Sequence, residues 1–323
     1  MKFLSQITRK LPFFHKLYAL NDQVQRLETH VHELQELINE CTISKDPRRS
    51  VLEYDYLRKT GRILDLNHPR TFNEKLQWLK LYDNPASKTP FVDKCRVRDW
   101  IRDQFGEQYL IPLLGVWNHF DEIDFSLLPD RFVIKSNNGS GDRVIVRDRK
   151  TLDIFSLKQH FARCLSSDYA KTAMELCYHG IQPKILVEKL MEENGKPLYD
   201  YKFICIHGKA VYCWIDIDRF TDHRRNIYDM NWERQPFTIQ YPSSERTFSK
   251  PKNFEKMIEI AERCSAAFIH VRVDLYNIDG KIFFSEMTFY SEAGYGTFIP
   301  EEYDRKLGEL IHLPDISPEG CHD

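Results

Sequence analysis

No C-x-x-C pair occurs among the eight cysteines, Cys41, Cys95, Cys164, Cys177, Cys205, Cys213, Cys264 and Cys321. Their scatter through a long chain argues against a zinc site and a disulfide scaffold, and fits reduced thiols in a cytoplasmic protein. No stretch approaches the roughly 18–20 apolar residues of a membrane helix. The opening MKFLSQITRKLPFFHKLY is interrupted by Lys2, Arg9, Lys10 and Lys16, so it lacks the apolar centre of a signal peptide. It retains the character of a basic amphipathic segment, suited to peripheral contact at the inner face of a membrane. Charge of one sign is also missing. The 46 Lys and Arg stand against 48 Asp and Glu, a net charge of −2, which gives no nucleic-acid footprint. There is no internal repeat, no Walker A spacing, no dinucleotide fingerprint and no convincing Ser/His/Asp or Cys/His arrangement.

What is present reads as soluble and globular. Hydrophobic residues make up 42% and charged residues 29% of 323, enough for one or two domains. Leu20, Val24, Leu27, Val31, Leu34, Ile38 and Cys41 alternate in steps of four and three, a heptad seam about three repeats long. It predicts a coiled-coil helix over 1–45 and a homo-oligomer; packing on the chain's own globular part is the plainer reading. TISKDPRRS (42–50) breaks the pattern with Pro47 and charge.

Beyond it, RTFNEKLQWLKLYD and FVDKCRVRDWIRDQFG have helical spacing, and YLIPLLGVW reads as a short strand and turn. RFVIKSNNGSGDRVIVRD reads as strand, glycine loop, strand, and 152–180 as helical. KILVEKL and DYKFICIHGKAVYCWIDID supply further strands. NFEKMIEIAERCSAAF puts Phe254, Met257, Ile258, Ala261, Cys264 and Phe268 on one helical face. IHVRVDLYNIDGKIFFSEMTF is a hairpin turning at Asp279–Gly280, and a helix near Glu301–Leu310 closes the chain. Strands mixed with helices, many in hairpins, predict an α+β fold with mostly antiparallel sheets.

The last hairpin carries the most chemistry. Side chains alternate along a strand, so His270, Arg272, Asp274 and Tyr276 share a face. If the turn takes up Asp279–Lys281, Asp274 lies opposite Glu286 and Arg272 opposite Thr288. Two carboxylates and a hydroxyl then meet beside an arginine. Hard oxygen ligands of this kind suit Mg²⁺ completed by substrate phosphates. The same pattern also describes a solvated sheet face with a cross-strand ion pair. The glycine loop SNNGSG (136–141) offers backbone N–H groups that approach a phosphate unobstructed, with Lys135 at its edge. The run DRFTDHRRN (218–226) is the candidate substrate reader, because arginine suits bidentate carboxylate and phosphate contacts.

In order, DK (93–94), Lys135 with its loop, VEKL (187–190), DYKF (200–203), Asp274, Glu286 and Thr288 resemble the ATP-grasp superfamily. TFNEKLQWLKLYD, DKCRVRDW, YLIPLLGVW, FVIKSNNGSG, DYKFICIHGK, DRFTDHRRNIYDMNW, VRVDLY and PEEYDRKLG are similar to its TupA-like branch, named for teichuronopeptide biosynthesis. The resemblance covers about 70–312. It implies two α+β subdomains clasping ATP: a helical region over 46–115, a small subdomain with the glycine loop over 116–190, and a metal-bearing subdomain over 191–323. It also implies ATP and Mg²⁺ as cofactors. Lys94, Lys135, Ser140, Gly141 and Lys202 would meet the phosphates, and Glu188 and Leu190 would lie on the adenine and ribose hinge. Asp274, Glu286 and Thr288 would hold the metal; Thr288 stands where the superfamily usually has Asn. Arg272 and Arg225 would stabilise charge in catalysis, with Arg225–Asn226 near the reacting centre, and Arg219, His223 and Asn226 would bind substrate.

The activity implied is an ATP-dependent carboxylate–amine ligase acting through an acyl phosphate. Its partners would be a uronic-acid glycan and an amino acid or amine. Two other readings stand beside it. Asp216-x-Asp218 in WIDIDRF suits a glycosyltransferase using a nucleotide sugar, and Thr288 suits a nucleotide-binding scaffold of the same pathway.

Overall fold

A computed structural model describes residues 24–25, 46–193, 196–219 and 221–315. The heptad segment therefore lies outside the described residues, apart from Val24 and Gln25, and so does the basic leader. Two compact units divide the chain, Met1–Arg58 and Lys59–Asp323. Helix α1 (Pro47–Thr60) opens with proline at its first position, where a missing N–H costs nothing, and Asp46 accepts from the Arg48 N–H at 2.9 Å. Arg49–Glu53 pairs along it at 2.8 Å.

In the second unit, α2 (Phe72–Tyr82) starts at a capping box in which Thr71 and Glu74 satisfy each other's backbone N–H groups. The single helix expected from FVDKCRVRDWIRDQFG is two, α3 (Thr89–Val92) and α4 (Arg96–Phe105). The break comes at Asp93, whose carboxylate accepts from the Cys95 N–H at 2.8 Å and so competes with the helical ladder. The expected helix over 152–180 is also shorter: α5 (Ile154–Ser166) is followed by one turn, α6 (Tyr169–Thr172).

A four-stranded sheet has the order β1-β4-β2-β3, from β1 (Leu113–Trp117), β2 (Phe132–Ser136), β3 (Val144–Val146) and β4 (Ile185–Lys189), all antiparallel to their neighbours. One face is covered by α5: Phe132, Ile134, Leu157, Phe161, Ile185 and Val187 share a buried cluster. Fully burying such side chains contributes about 1.5–3 kcal/mol each.

Two two-residue strands follow, β5 (Glu192–Glu193) and β6 (Lys196–Pro197). A five-stranded sheet then has the order β12-β11-β7-β8-β9, built from β7 (Asp200–Ile206), β8 (Lys209–Ile217), β9 (Arg224–Asp229), β11 (His270–Ile278) and β12 (Lys281–Thr288). Helix α7 (Phe254–Ser265) packs across β7, β8 and β11. Ile260, not Ile258, completes its buried face with Phe254, Met257, Ala261 and Cys264. The pair β10 (Thr238–Ile239) and β13 (Phe298–Ile299) and helix α8 (Glu302–Glu309) finish the unit.

The last hairpin has a two-residue turn, Asp279–Gly280, both residues at positive φ (49° and 91°). Such a turn alone would set Asp274 against Ser285. A bulge restores Asp274 opposite Glu286 and Arg272 opposite Thr288. The expected pairing is present, but the extra residue sits beside the carboxylates rather than in the turn, where bulges re-aim side chains.

Candidate active site

A cavity of about 1210 Å³ is lined by Val133, Lys135, Ile145 and Glu188 of the four-stranded sheet and by Asp200, Asp216, Tyr276 and Glu286 of the five-stranded one. Alternation along β2 turns Phe132 and Ile134 to the α5 core and leaves Val133 and Lys135 on the cleft side. Lys135 Nζ lies 2.7 Å from Glu188 Oε2. The other Glu188 oxygen takes Arg98 Nη1 at 2.7 Å, and Arg98 Nη2 donates to the Ile111 carbonyl at 2.8 Å. One buried carboxylate thus serves two cations, so this group of three carries a net positive charge.

The glycine loop is held at its base and exposed at its tip. Asn137 donates to Asp93 Oδ1 at 3.0 Å and to the Gln182 carbonyl at 3.1 Å, and accepts from the Lys184 N–H at 2.6 Å. Asp142 reaches back to the Ser136 N–H at 2.9 Å and to its hydroxyl. Ser140 and Gly141 are exposed at the tip and line the cavity, with Gly141 at φ +79°. Lys94 Nζ donates to the Gly139 carbonyl. Burial lowers the Lys94 pKa, against the pull of Asp142 and Glu286.

Across the cleft, Asp274 is 2% exposed and both its oxygens are engaged. Arg272 Nε donates to Oδ1 at 2.7 Å and Nη2 to Oδ2 at 2.8 Å, and Lys202 Nζ donates to Oδ2 at 3.0 Å. Burial pushes this carboxyl up, but Arg272 and Lys202 prevail and hold it at about 2. Arg272 Nη2 also reaches Glu286 Oε1 at 3.3 Å and donates to Thr288 Oγ1 at 3.1 Å. Glu286 keeps 42% of its side chain exposed and lines the cavity.

Among the described residues no three His, Cys, Asp or Glu side chains gather into a metal cage. Two facing carboxylates and a hydroxyl are instead the partial donor set that Mg²⁺ accepts when phosphates complete its shell. Asp274 already attracts two cations, Arg272 and Lys202, and Glu286 keeps an exposed carboxylate on the cavity, so the chemistry of the donor set fits a divalent ion.

The 218–226 run is largely neutralised by acids. Arg219 pairs with Asp200, and Arg224 with Asp222 at 2.9 Å. Arg225, 2% exposed, grips Asp216 at 2.6 and 3.1 Å and Glu292 at 2.7 Å. His223 stacks on Tyr241 at 3.6 Å, with Nε2 3.5 Å from Asp216 Oδ1. Burial opposes the charge on Asp216, but His223, Arg225 and Lys202 hold its carboxyl far below the usual range. Arg225 and Asn226, expected side by side near the reacting centre, are neighbours on β9 and point to opposite faces. Asn226 braces the following loop, accepting from the Ser244 N–H at 2.8 Å and donating to the Arg246 carbonyl at 3.1 Å.

Of the expected residues, Lys94, Lys135, Ser140, Gly141, Glu188, Leu190, Arg219 and Glu286 share the cavity lining. Lys202, Arg225, Arg272, Asp274 and Thr288 join the hydrogen-bonded and ionic network behind Glu286 and Asp216. Strand β4 is paired as far as Lys189, whose N–H donates to the Pro112 carbonyl at 2.9 Å, and the segment from Glu188 to Glu192 lines the cleft.

Sequence reasoning missed Arg98 on α4, whose partner Glu188 lies 90 residues further along the chain. It also missed Asn137 and Asp142, whose roles depend on partners distant in the chain or on the loop's closure. Glu175, buried and pushed up to about 7 by burial against Lys80, Arg272 and Lys59, carried no sequence signal.

Two antiparallel sheets grip a cleft, one bearing a glycine loop with lysines and the other facing carboxylates; this is the arrangement expected of an ATP-grasp protein. Residues 74–312 match the TupA-like ATP-grasp family, and the chain belongs to it. Comparison with curated protein sequences returns no significant match. Among solved structures, the chain is similar to D-alanine–D-alanine ligase from Bacillus anthracis complexed with ATP, at 16% identity and a TM-score of 0.39, covering 63% of this chain and 56% of that one. It is also similar to the ATP-grasp ligase PsnB complexed with minimal precursor, Mg and ADP, at 13% identity and a TM-score of 0.38, over 82% and 69%. The chain thus spans little more than half the length of the D-alanine–D-alanine ligase. With identities and TM-scores this low, membership rests on the family match.

Proposed function

We propose that this protein is an ADP-forming carboxylate–amine ligase that joins a uronic-acid carboxylate of a bacterial capsule, O-antigen or teichuronic glycan to an amino acid or amine. The observation that carries this reading is the cleft itself: Lys94, Lys135 and the 139–141 backbone on one wall, and Glu286 with the Arg272–Asp274 pair on the other.

Lys94 and Lys135 draw the phosphates of ATP against the loop. Arg272, its charge strengthened by Asp274 and Glu286 against the penalty of burial, neutralises charge growing on the transferred group. Glu286 and Asp274 would hold Mg²⁺, which would supply positive charge against the phosphates. The substrate carboxylate oxygen takes the γ-phosphoryl group as its bond to ADP breaks. The amine nitrogen then attacks the carbonyl carbon, the carbon–oxygen bond to phosphate breaks, and inorganic phosphate leaves with that oxygen as the amine's proton passes to phosphate or water. Positioning and charge neutralisation supply the rate, with no side-chain nucleophile.

Two expectations complete the proposal: self-association through 20–41 and contact of the basic leader with the inner face of a membrane. No observation favours the nucleotide-sugar reading: β8 ends at Ile217, and Asp218 lies beyond it at φ 51° and pairs with Arg246 at 2.9 Å, so the two acids do not share a strand.

The test mixes purified protein with ATP, Mg²⁺, a uronic-acid glycan and a pool of amines, following ADP and glycan mass. ADP release with an amide-sized mass gain is expected. Turnover of a nucleotide sugar without ATP would sink the reading.

A further inference from the structure

Lys202 stands between two carboxylates on the strands that flank its own. It is paired with Asp274 on β11 and with Trp214 on β8, and Asp216 follows two residues along β8 on the same face as Trp214. Its ammonium is 3.0 Å from Asp274 Oδ2 and 3.5 Å from Asp216 Oδ2, with 4% of the side chain exposed. Each carboxylate also has its own guanidinium, gripping both oxygens: Arg272 on Asp274 and Arg225 on Asp216.

The two arginines are planar forks committed to fixed geometries. Lys202 is a point charge with three rotatable donors on a flexible stem, so of these three cations it is the one that changes partner at least cost. A divalent cation on Asp274 and Glu286 would share the Asp274 carboxylate with this ammonium and with Arg272; like charges there repel, and of the two cations Lys202 is the one with a carboxylate outside that pair within reach, Asp216 at 3.5 Å. On its other side lies Asp216, kept ionised by Arg225, His223 and Lys202 itself.

We propose that Asp216 is a positioning residue that receives Lys202 when a divalent cation occupies the Asp274–Glu286 pair. Lys202, which caps Asp274, moves onto Asp216 on loading, which keeps its charge beside the phosphates and removes one of the two cations that compete for the metal's carboxylate. The inference rests on the cation site of the ligase reading. It also explains a buried acid on the cavity wall that the ligase chemistry itself does not use.

The probe is Mn²⁺ with ADP, with unbound Mn²⁺ read by electron paramagnetic resonance, so no turnover is needed. Lys202→Met should tighten Mn²⁺ binding by about threefold, and Asp216→Asn should weaken it by about fivefold or more. In the Lys202→Met background, Asp216→Asn should change binding by less than about twofold, because there is no longer a lysine to receive. Equal weakening by Asp216→Asn in both backgrounds would mark Asp216 as merely structural and overturn the proposal. So would a Lys202→Met protein that binds Mn²⁺ no more tightly than wild type, and this arm stands even if Asp216→Asn fails to fold. Wild-type protein that binds ADP but no Mn²⁺ removes the cation site, and the proposal with it. Mn²⁺ binding without amide formation in the turnover assay would instead reject the ligase reading alone.

Discussion

Lys135 and Glu286 are the side chains on which each wall of the cleft most directly depends, and neither holds up the core. Lys135 shares Glu188 with Arg98, so its loss leaves the acid a partner; Glu286 is nearly half exposed. Lys135→Ala and Glu286→Ala should each lower ADP formation more than about a hundredfold, the range for losing a preorganised charge contact, with circular dichroism unchanged. Full activity in both would refute the site.

His270 is a residue of a different kind. It is 2% exposed, with Nδ1 3.0 Å from the Cys205 carbonyl and Nε2 3.4 Å from Ser291 Oγ. Burial, then the nearby Arg272 and Lys88, depresses it from 6.5 to about 3, although the Cys205 contact opposes this. Below pH 6.5 the unfolded chain takes up a proton that the native imidazole refuses. The stability from burying a neutral ring is therefore present above pH 6.5 and lost as pH falls towards 3. Asp304 works the other way: burial raises it to about 6, so its cost fades as pH falls from about 6 towards 3.8. Urea unfolding should show wild type losing about 1 kcal/mol more than His270→Gln between pH 6.5 and 5.5. Parallel pH profiles would contradict this assignment.

Among the elements, the glycine loop and the α2–α8 contact show what fixes the site's surroundings. Asn137 ties the loop to Asp93, Gln182 and Lys184, so Asn137→Ala strands buried donors and acceptors at about 1–3 kcal/mol. The loosened loop should raise the KM for ATP more than it lowers kcat, which steady-state kinetics will resolve. On α8, a Cβ at Gly308 would stand 2.4 Å from the Arg70 carbonyl oxygen, while Lys75 donates to the Gly308 and Ile311 carbonyls at 2.8 and 2.7 Å. Gly308→Ala should cost about 1–3 kcal/mol by overpacking backbone against backbone, seen as a lower Tm. An unchanged Tm would mean that α8 can slide. The turn after β12 is strained in a related way: Glu292 and Ala293 both lie at positive φ (51° and 53°). Gln77 and Lys80 hold its carbonyls, and Arg225 holds the Glu292 carboxylate.

At the scale of the whole molecule, the cleft exists because each sheet buries one face against a helix, α5 or α7, and turns the other to the cavity. This divides each strand's residues between core and chemistry. Every described residue that lines the cleft lies at or beyond Lys94. Deleting residues 1–45 should therefore lower the mass in light scattering while ATP binding persists. An unchanged mass would reduce the heptads to a local role.

Periodicity alone determined that Asp274, Arg272 and Tyr276 share a face, that Lys135 leaves a buried strand on the side opposite Phe132 and Ile134, and that an α+β fold with antiparallel hairpins would follow. Those features repeat every two residues, and the local chain sets them. Tertiary structure alone decided the rest. It placed the bulge at Ser285 rather than in the turn, gave Glu188 two cations, and neutralised most of a basic run that looked ready for an acidic substrate. Each of these depends on which strand lies beside which, and on acids from neighbouring strands and loops. Burial makes an unpaired charge costly enough that Asp200, Asp216 and Glu292 end where Arg219, Lys202 and Arg225 can meet them.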